Sequence, residues 1–367
     1  MKSKKTQELY SQFFKRQITL AEIGEEGQKR LQETSVLIIG CGGLGGTIAV
    51  HLATSGIGKI HLVDFDKVDL TNLHRQVFFT LEDVDRPKSE VLAEAIKKRT
   101  SFTKVSFSEE PLLKNNAMPL VNQYDIVVDA TDSLPTKYLL NDVCVLQNKP
   151  LVYGSLYKFD GYVSTFNLQL ENGECSANLR DAFPEMNTDI PNCEQAGTLN
   201  AIVGLIATAQ VNEVLKISTD VGNPLSDQLM IYNALQNSVL KMKLRNKYRK
   251  EEIQAIYNQE NYMDVSCLGQ KEEWQISPEE LKAQLGDPAA ESNLELIAVL
   301  PNLKLPFEVD RTIPIQEFKV DQIDVDSSKT YVMICQKGFN SYKATHMMRE
   351  KFPYLKVLNL TGGIENY

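Results

Sequence analysis

"VLIIGCGGLGG" (residues 36–46) joins a short run of apolar, mostly branched residues directly to a glycine-rich turn. Gly40, Gly42 and Gly45 match the G-x-G-x-x-G pattern, in which glycines let the backbone approach phosphate groups at the start of a helix. The residues that follow, "LGGTIAVHLATSGIG", carry apolar side chains at helical spacing and end on glycine. The stretch therefore predicts a strand, a phosphate-binding turn and a helix.

Strands and helices alternate along the chain beyond this turn. Strand patterns occur in "KIHLVDFD", "KVSFS", "YDIVVDATD" and "PLVYGSLYKFDGYVSTFNLQ", and helical patterns occur in "RPKSEVLAEAIKKRT" and "TKYLLNDVCVLQNK". This alternation predicts an α/β protein with a Rossmann-like, mostly parallel sheet that helices cover on both faces.

The first of two predicted domains covers residues 1–248, because the polar and charged segment that follows is typical of a linker. This linker is placed at residues 249–273. A smaller α/β domain is predicted at residues 274–367, where strand and helix patterns resume. A length of 367 residues also favours two domains over one.

The composition argues against several classes of partner. A net charge of -9 disfavours a nucleic-acid partner, because phosphate backbones are bound by positive surfaces. The N-terminus lacks the apolar core of a secretory signal, and the longest apolar stretch, around "AIVGLIATAQV", is too short to span a bilayer. Six cysteines over this length are typical of reduced thiols. We therefore expect a cytoplasmic protein without nucleic-acid or membrane partners.

Charged residues follow the glycine turn at informative positions. Asp64 ends the next strand, about twenty residues on, where a carboxylate can accept a ribose hydroxyl. This fingerprint alone fits a nicotinamide dehydrogenase equally well. Arg75 and Lys88 favour a nucleoside triphosphate, because its roughly four negative charges need more cations than a dinucleotide does. Asp132 ends a central strand, where a carboxylate beside phosphates is best explained by magnesium.

Six motifs occur in order along the chain: "KRQITLAEIGEEGQKRL", "VLIIGCGGLGG", "DFDKVDLTNLHRQ", "RPK", "DATDS" and "NCEQAG". Together they resemble the MoeB/ThiF/HesA family, bacterial relatives of the ubiquitin-activating enzymes, over about the first 245 residues. The resemblance implies that ATP and Mg²⁺ are used to adenylate the C-terminal glycine of a small ubiquitin-like sulfur carrier ending in Gly-Gly, similar to MoaD or ThiS. Sulfur would then attack the acyl-adenylate and form a thiocarboxylate.

The family resemblance also implies roles for individual residues. Asn72, Arg75 and Lys88 would contact the phosphates, and Asp132 would hold the magnesium ion. Arg16, in "FFKRQ", matches an arginine that reaches the triphosphate from a neighbouring subunit, so the active unit would be a homodimer. The complete set of expected nucleotide-binding residues is Gly40, Gly42, Gly43, Gly45, Asp64, Asp66, Asn72, Arg75, Lys88, Asp132 and Ser133.

Cys193 lies in "NCEQAG", which resembles a family segment that crosses the active site. A thiol near a helix start and a bound adenylate ionises more readily, and it can act as a nucleophile or as a persulfide acceptor. An unreactive, buried cysteine is the alternative. Cys193 is therefore a candidate catalytic residue.

Many members of the family hold a structural zinc ion with two Cys-x-x-Cys pairs. Here the first pair retains only Cys175, and Asn178 stands where its second thiol would be. The second pair would fall in "KMKLRNKYRKEE" (residues 241–252), which contains no cysteine. We therefore expect no structural zinc.

The stretch "VMICQKGFNSYKATHMM" and the terminal "VLNLTGGIENY" resemble a rhodanese domain, a sulfur-transferase module fused to several MoeB-type enzymes. The resemblance implies that Cys335, at a helix start, carries sulfur as a persulfide received from a donor such as a cysteine desulfurase. Ala298, Leu300 and Asn340 replace charged residues of ordinary rhodaneses. A non-catalytic domain that docks the carrier is therefore an alternative.

Three other functions stay open for the whole chain. They are adenylation of a different carboxylate, as in peptide- or tRNA-modifying relatives, a nicotinamide dehydrogenase, and a protein that only docks carriers. A melting-temperature shift with ATP and magnesium but not with NAD would exclude the dehydrogenase. Molybdopterin, thiamine and tRNA-thiolation pathways are equally compatible with the sequence.

Overall fold

The chain divides into two units, Met1–Tyr262 and Met263–Tyr367. The division falls inside the segment predicted as a linker. The computed structural model describes residues 2–186, 197–260, 262, 271–301, 303–315 and 317–367.

One sheet of eight strands organises the first unit. The strands are β1 Ser35–Ile39, β2 Lys59–Val63, β3 Lys104–Ser108, β4 Ile126–Asp129, β5 Leu151–Tyr157, β6 Asp160–Phe166, β7 Gln228–Asn233 and β8 Ser238–Lys243. Their order across the sheet is β3-β2-β1-β4-β5-β6-β7-β8. The first five pair in parallel, and β6, β7 and β8 are added antiparallel. The mostly parallel α/β sheet predicted from the sequence is thus confirmed.

Helices pack on both faces of this sheet. They are α1 Lys2–Phe13, α2 Lys15–Ile18, α3 Gly24–Glu33, α4 Gly43–Ser55, α5 Lys88–Arg99, α6 Lys114–Val121, α7 Leu134–Gln147, α8 Leu179–Ala182, α9 Asn200–Thr219 and α10 Lys250–Gln259. Val36 and Ile38 of β1 belong to the core shared with α4, α5 and α9. Leu37 and Ile39 belong to the opposite core, shared with α6 and α7. Because both faces of β1 are buried, its sequence is continuously apolar rather than alternating.

The segment at residues 249–273, interpreted from its polarity as a linker, begins with packed structure. It contains α10, in which Ile253 is fully buried. The Tyr257 hydroxyl donates to the backbone oxygen of Lys114 at 3.1 Å. The few apolar residues of this segment lie one helical turn apart on one face, which is why α10 packs on the first unit.

Helix α9 is longer than the uncharged apolar stretch that it contains. The apolar stretch around "AIVGLIATAQV" was expected to be too short for a bilayer, but the helix continues to Thr219 and is long and apolar enough to cross one, by length and composition alone. Its Ile202, Ile206 and Val214 lie in the core of the first unit. The length and apolar character of α9 therefore reflect a core helix packed across the sheet.

The second unit contains a five-stranded sheet with the order β11-β10-β12-β13-β9, in which every neighbouring pair is parallel. Its strands are β9 Gln275–Ile276, β10 Leu294–Ala298, β11 Arg311–Thr312, β12 Thr330–Ile334 and β13 Lys356–Leu360. Its helices are α11 Pro278–Leu285, α12 Pro288–Glu291 and α13 Phe339–Lys351. Cys335 directly follows β12, so it lies at the carboxyl edge of the sheet, where α/β folds place their sites.

Candidate functional site

The glycine turn after β1 has a shape that requires glycine. Gly40 has a φ of +92°, and a Cβ atom built on it would lie 2.7 Å from the carbonyl oxygen of Ala130. A Cβ atom on Gly45 would overlap the carbonyl oxygen of Gly40. Both neighbours are backbone atoms, so a side chain at either position would displace the turn.

The turn leads into the N-terminus of α4, whose N-cap residue, Gly42, has no side chain to satisfy the first N–H groups. A Cβ atom on Gly43 would lie 2.6 Å from the side chain of Val203, so a side chain at this position would displace Val203. The neighbouring Gln76 is buried, and its Oε1 has no hydrogen-bond partner among the described residues. The backbone N–H groups at this helix end form a cradle that fits a phosphate chain, whereas the Gln76 oxygen is an acceptor and does not bind phosphate itself.

Asp64, at the carboxyl end of β2, is held against this cradle. The Cys41 N–H donates to Asp64 Oδ2 at 2.6 Å, and the Asp66 N–H donates to Oδ1 at 2.8 Å. Burial raises the pKa of Asp64 to about 6, although the ammonium group of Lys88 opposes this. The carboxylate therefore stands where the sequence predicts a ribose ligand, and it is still ionised at neutral pH.

Lys88, at the start of α5, lies among carboxylates. Its side chain is almost fully buried, and Nζ lies 2.8 Å from Asp66 Oδ2. Burial alone would lower the pKa of Lys88, but the nearby carboxylates raise it overall, in the order Asp64, Asp66 and Asp132. The structure thus brings three predicted site residues, Asp64, Asp66 and Asp132, near the ammonium group of a fourth, Lys88.

The free energy of unfolding should depend on pH through the titration of the Asp64 carboxyl group. Its pKa rises from 3.8 to about 6 on folding, so its stabilising contribution is complete below about pH 4 and is lost as pH rises to about 6. We expect the free energy of unfolding of the wild type to fall, relative to Asp64→Asn, by roughly 2–3 kcal/mol between pH 4 and pH 7. Chemical denaturation of both proteins at both pH values checks this, and a pH-independent difference would contradict it.

Asn72 and Arg75 meet on the turn that follows β2. Arg75 Nη2 donates to Asn72 Oδ1 at 2.5 Å, and Arg75 Nη1 lies 2.9 Å from His74 Nε2. The backbone oxygen of Arg75 is 3.1 Å from the position that a Cβ atom on Gly43 would occupy. The backbone of Arg75 therefore lies beside the cradle, and the phosphate contacts of the two side chains stay a prediction.

The loop after β4 carries Asp132 and Ser133. Asp132 is exposed, and Ser133 caps α7 by accepting from the Thr136 N–H at 3.2 Å. The Ser133 hydroxyl is thus already used within the protein, and its contact with a nucleotide stays a prediction. The described residues contain no cluster of three or more His, Cys, Asp or Glu side chains with metal-site spacing. One free carboxylate, Asp132, still suits Mg²⁺, which takes one or two carboxylates and completes its shell with phosphates and water.

Arg16 lies on α2 at the surface of the first unit. Phe14, two residues earlier, is buried against Tyr10 and Phe102 and anchors this short helix. Arg16 itself is exposed and has no ion pair with any residue that the structure describes. An exposed arginine without an intramolecular partner is compatible with a role on a second copy of the chain, which stays a prediction.

The thiols of the first unit differ in their surroundings. Cys193 falls within residues 187–196, which lie outside the described part of the chain. Cys41 and Cys144 are fully buried, and burial raises the pKa of both thiols well above the ordinary value. Both are therefore unreactive residues of the core.

Hydrogen bonds join the two segments that a zinc ion would hold together in relatives. Asn178 caps α8, and its N–H donates to Asp181 Oδ2 at 2.8 Å. Asp181 Oδ1 accepts from the N–H groups of Lys247 and Tyr248 at 2.7 and 3.1 Å. The second thiol position is thus used for a helix cap, and Cys175 has no cysteine partner among the described residues.

We expect Asp181→Ala to lower the free energy of unfolding by about 2 kcal/mol, because it leaves backbone donors on both segments without an acceptor. Elemental analysis of the wild type should find no stoichiometric zinc, and a chelator should leave its melting temperature unchanged. Glu171→Ala is the matched control, since Glu171 is an exposed carboxylate of the same region. One zinc ion per chain, or equal stability of Asp181→Ala and the control, would contradict this expectation.

The second unit presents hydrogen-bond donors to the sulfur of Cys335. The Gly338 N–H and the Ser341 hydroxyl each lie 3.1 Å from Cys335 Sγ. Cys335 and Ser341 are buried, and Lys337 is exposed next to them. Two donors aimed at one sulfur atom at the start of α13 can stabilise negative charge on a thiolate or on a persulfide.

The terminal glycine pair explains how this loop keeps its shape. A Cβ atom on Gly363 would lie 2.5 Å from both the Cys335 oxygen and the Gly338 nitrogen. The Ile364 N–H donates to the Cys335 oxygen at 2.9 Å. The "LTGGI" segment and the cysteine loop therefore form one packed feature, although they are separate in sequence.

Sequence reasoning missed three buried polar residues beneath the nucleotide site. Gln76 directly follows Arg75 in a motif that was already singled out. Lys137 and Gln210 lie on the buried faces of α7 and α9. A lone polar residue at the helical spacing of a buried stripe was the available signal, since burying a polar group is unfavourable unless it makes hydrogen bonds.

Residues 14–253 match the profile described as the ThiF family. The chain is 37% identical over 238 residues to a sulfur carrier protein adenylyltransferase of Thermus thermophilus, an alignment that covers 64% of this chain and 88% of that protein. It is 31% identical over 361 residues to the probable adenylyltransferase/sulfurtransferase MoeZ of Mycobacterium tuberculosis, with 96% and 91% covered.

A crystal structure of E. coli MccB with ATP has a similar fold. The likeness covers 60% of this chain and 66% of that chain, with a TM-score of 0.54 and 24% sequence identity. At this identity the likeness concerns the fold alone. The fold is that of the first unit, with the glycine cradle at the carboxyl edge of its parallel strands.

Proposed function

Because this chain belongs to the ThiF family, we propose that it uses ATP to adenylate the C-terminal carboxylate of a sulfur-carrier protein and then takes part in transferring sulfur to that carrier. The observation that carries the proposal is the single cradle in which a glycine turn, an uncapped helix end, Asp64 and Lys88 meet. Proteins named for adenylation and sulfur transfer match nearly the whole chain, which supports coupling of the two steps.

The adenylation step needs charge stabilisation more than covalent chemistry. A carboxylate oxygen of the carrier attacks the α-phosphorus of ATP, the bond to the bridging oxygen breaks, and pyrophosphate leaves with the electron pair. The N–H groups of the cradle, Arg75 and Lys88 offset the charge of the phosphates throughout. Asp64 accepts a ribose hydroxyl and thereby places the α-phosphate at the cradle.

Two further groups complete this site in the proposal. Asp132 would hold Mg²⁺, which neutralises charge on the departing pyrophosphate. Arg16 of a second copy would supply an additional cation from outside the first unit, so the active form is a homodimer. As the family resemblance implies, the carrier is a small ubiquitin-like protein whose tail ends in Gly-Gly. We expect these proteins to meet in the cytoplasm.

Sulfur transfer is assigned to the second unit. A persulfide on Cys335, charged by a donor such as a cysteine desulfurase, attacks the acyl carbonyl, and AMP leaves with the electron pair. A second thiol then attacks Cys335 Sγ, which releases the carrier thiocarboxylate and leaves a disulfide. The Gly338 N–H and the Ser341 hydroxyl, which contact Cys335 Sγ, stabilise the Cys335 thiolate that first takes the sulfur atom from the donor.

Carrier-dependent ATP–pyrophosphate exchange tests the proposal directly. Purified enzyme, ATP, Mg²⁺ and a carrier ending in Gly-Gly should exchange labelled pyrophosphate into ATP, and the same carrier without its last two glycines should not. A melting-temperature increase with ATP and Mg²⁺ but not with NAD should accompany this.

The alternatives give distinct outcomes in the same assay. Stabilisation by NAD alone would indicate a dehydrogenase. ATP binding without exchange would indicate a protein that only docks carriers. Exchange that is stimulated by a short peptide but not by any carrier would indicate activation of a different carboxylate.

A further inference from the structure

A buried polar set lies directly beneath the loop that carries Asp132. Asp129 is the last residue of β4, three positions before Asp132, and it is fully buried. Lys137 of α7 and Gln210 of α9 contact it and are nearly as buried. None of these three side chains belongs to the cradle described above, so their presence needs a separate reason.

Gln210 joins the ends of two strands. Its Nε2 donates to the backbone oxygens of Asp129 and Val152, at 2.8 and 3.3 Å. Because both partners are carbonyl oxygens, only the amide nitrogen can face them, and the orientation of the side chain is settled. The amide lies flat on Gly154, where any Cβ atom would overlap it. Gln210 therefore holds the carboxyl end of β4 and the first residues of β5 at one separation.

Both carboxylate oxygens and the carbonyl oxygen of Asp129 accept hydrogen bonds from described residues. Lys137 Nζ donates to Asp129 Oδ2 at 3.0 Å and to the Gly154 oxygen at 2.8 Å. The N–H and the hydroxyl of Thr131 both donate to Asp129 Oδ1, at 3.0 and 2.9 Å. Because its carboxylate and its carbonyl oxygen are all hydrogen-bonded, Asp129 restricts the conformation of the chain that enters the Asp132 loop.

A packing role alone does not explain an amide at this place. The Oε1 of Gln210 is buried without a hydrogen-bond partner among the described residues, which is unfavourable compared with an apolar side chain of similar size. The donor half of the amide must therefore contribute something that methionine or leucine would not. Its two bonds act on the loop that leads to the predicted magnesium ligand.

We propose that Gln210 is a positioning residue for nucleotide activation, which acts through Asp129 to hold the Asp132 loop in the geometry that binds magnesium with ATP. The part of this proposal that concerns magnesium and Asp132 rests on the proposed function. The part that concerns the order of the loop does not. Gln210 touches neither the nucleotide nor the carrier in this assignment.

The test compares Gln210→Met, which keeps the shape but removes the donors, with Glu213→Gln. Glu213 is an equally buried polar residue one turn along α9, and it bonds Leu225 and Thr165 away from the cradle. Hydrogen exchange of the peptide spanning residues 126–133, without ATP, should be at least tenfold faster in Gln210→Met and unchanged in Glu213→Gln. Gln210→Asn, which retains a shorter amide, should be intermediate and serves if Gln210→Met does not fold.

Calorimetry of ATP binding at increasing Mg²⁺ supplies a second readout. Gln210→Met should need about tenfold more Mg²⁺ for half-maximal binding, and this shift should disappear when Asp132→Asn is already present. The proposal would be overturned by unchanged hydrogen exchange of the loop in Gln210→Met, or by equal effects of the Gln210 and Glu213 variants. It would also be overturned by a shift in the Mg²⁺ requirement that persists with Asp132→Asn. If ATP binding depends neither on Mg²⁺ nor on Asp132, the proposed function fails. Hydrogen exchange of the loop still decides the role of Gln210 in that case.

Discussion

The Asp132→Asn variant is expected to lose at least about 100-fold of carrier-dependent ATP–pyrophosphate exchange, because it removes the carboxylate proposed to hold Mg²⁺ against the phosphates. Asp132 is exposed and makes no hydrogen bond or ion pair with the described residues. Its replacement should therefore leave the melting temperature of the apo protein unchanged. The loss should be partly recovered at high Mg²⁺, since the phosphates themselves still bind the ion.

Glu171→Gln removes one negative charge from an exposed position in the same unit, and it is the control for net charge. Exchange should be unaffected in this variant. The prediction also separates a metal role from an electrostatic one. If Asp132 only added negative charge next to Lys88, its removal would strengthen the attraction of Lys88 for phosphates, and ATP would bind more tightly. Full exchange by Asp132→Asn at low Mg²⁺ would show that the metal ligand lies elsewhere.

The Cys335→Ser variant is expected to lose at least about 100-fold of carrier thiocarboxylate formation while its pyrophosphate exchange stays at the wild-type level. A serine oxygen accepts the hydrogen bonds of Gly338 and Ser341 and so retains the loop, but it cannot carry a persulfide sulfur. Mass spectrometry of the carrier after incubation with a cysteine desulfurase, cysteine and ATP measures the replacement of oxygen by sulfur.

The matched control is Cys175→Ser, which removes a more accessible thiol from the first unit. Thiocarboxylate formation should persist in this variant, because burial raises the pKa of Cys175 and no donors are aimed at its sulfur in the described structure. Mass spectrometry of the enzyme should show an added sulfur atom on the wild type and on Cys175→Ser, but not on Cys335→Ser. Wild-type thiocarboxylate formation by Cys335→Ser would mean that the second unit docks the carrier without carrying sulfur.

The candidate site could be predicted where its residues belong to contiguous motifs. The glycine turn, Asp64, Lys88 and Asp132 each end a strand or begin a helix, and the carboxyl ends of parallel strands meet at one edge of the sheet. Their convergence follows from local patterns and the handedness of the connections. The packing of α10, within the segment interpreted as a linker, could not be predicted, because it depended on which face of a helix finds a partner.

The sequence alone determined the α/β fold, the cradle and the cysteine loop, because each is built from residues that are neighbours in the chain. Glycines and helix starts determine the backbone geometry of these residues. Only the tertiary structure decided which distant groups support them. Gln210 reaches Asp129 across 81 residues, and Gly363 packs on the Cys335 loop from the last turn of the chain. Such contacts arise when helices and strands pack, and their hydrogen bonds depend on positions in space that no local pattern encodes.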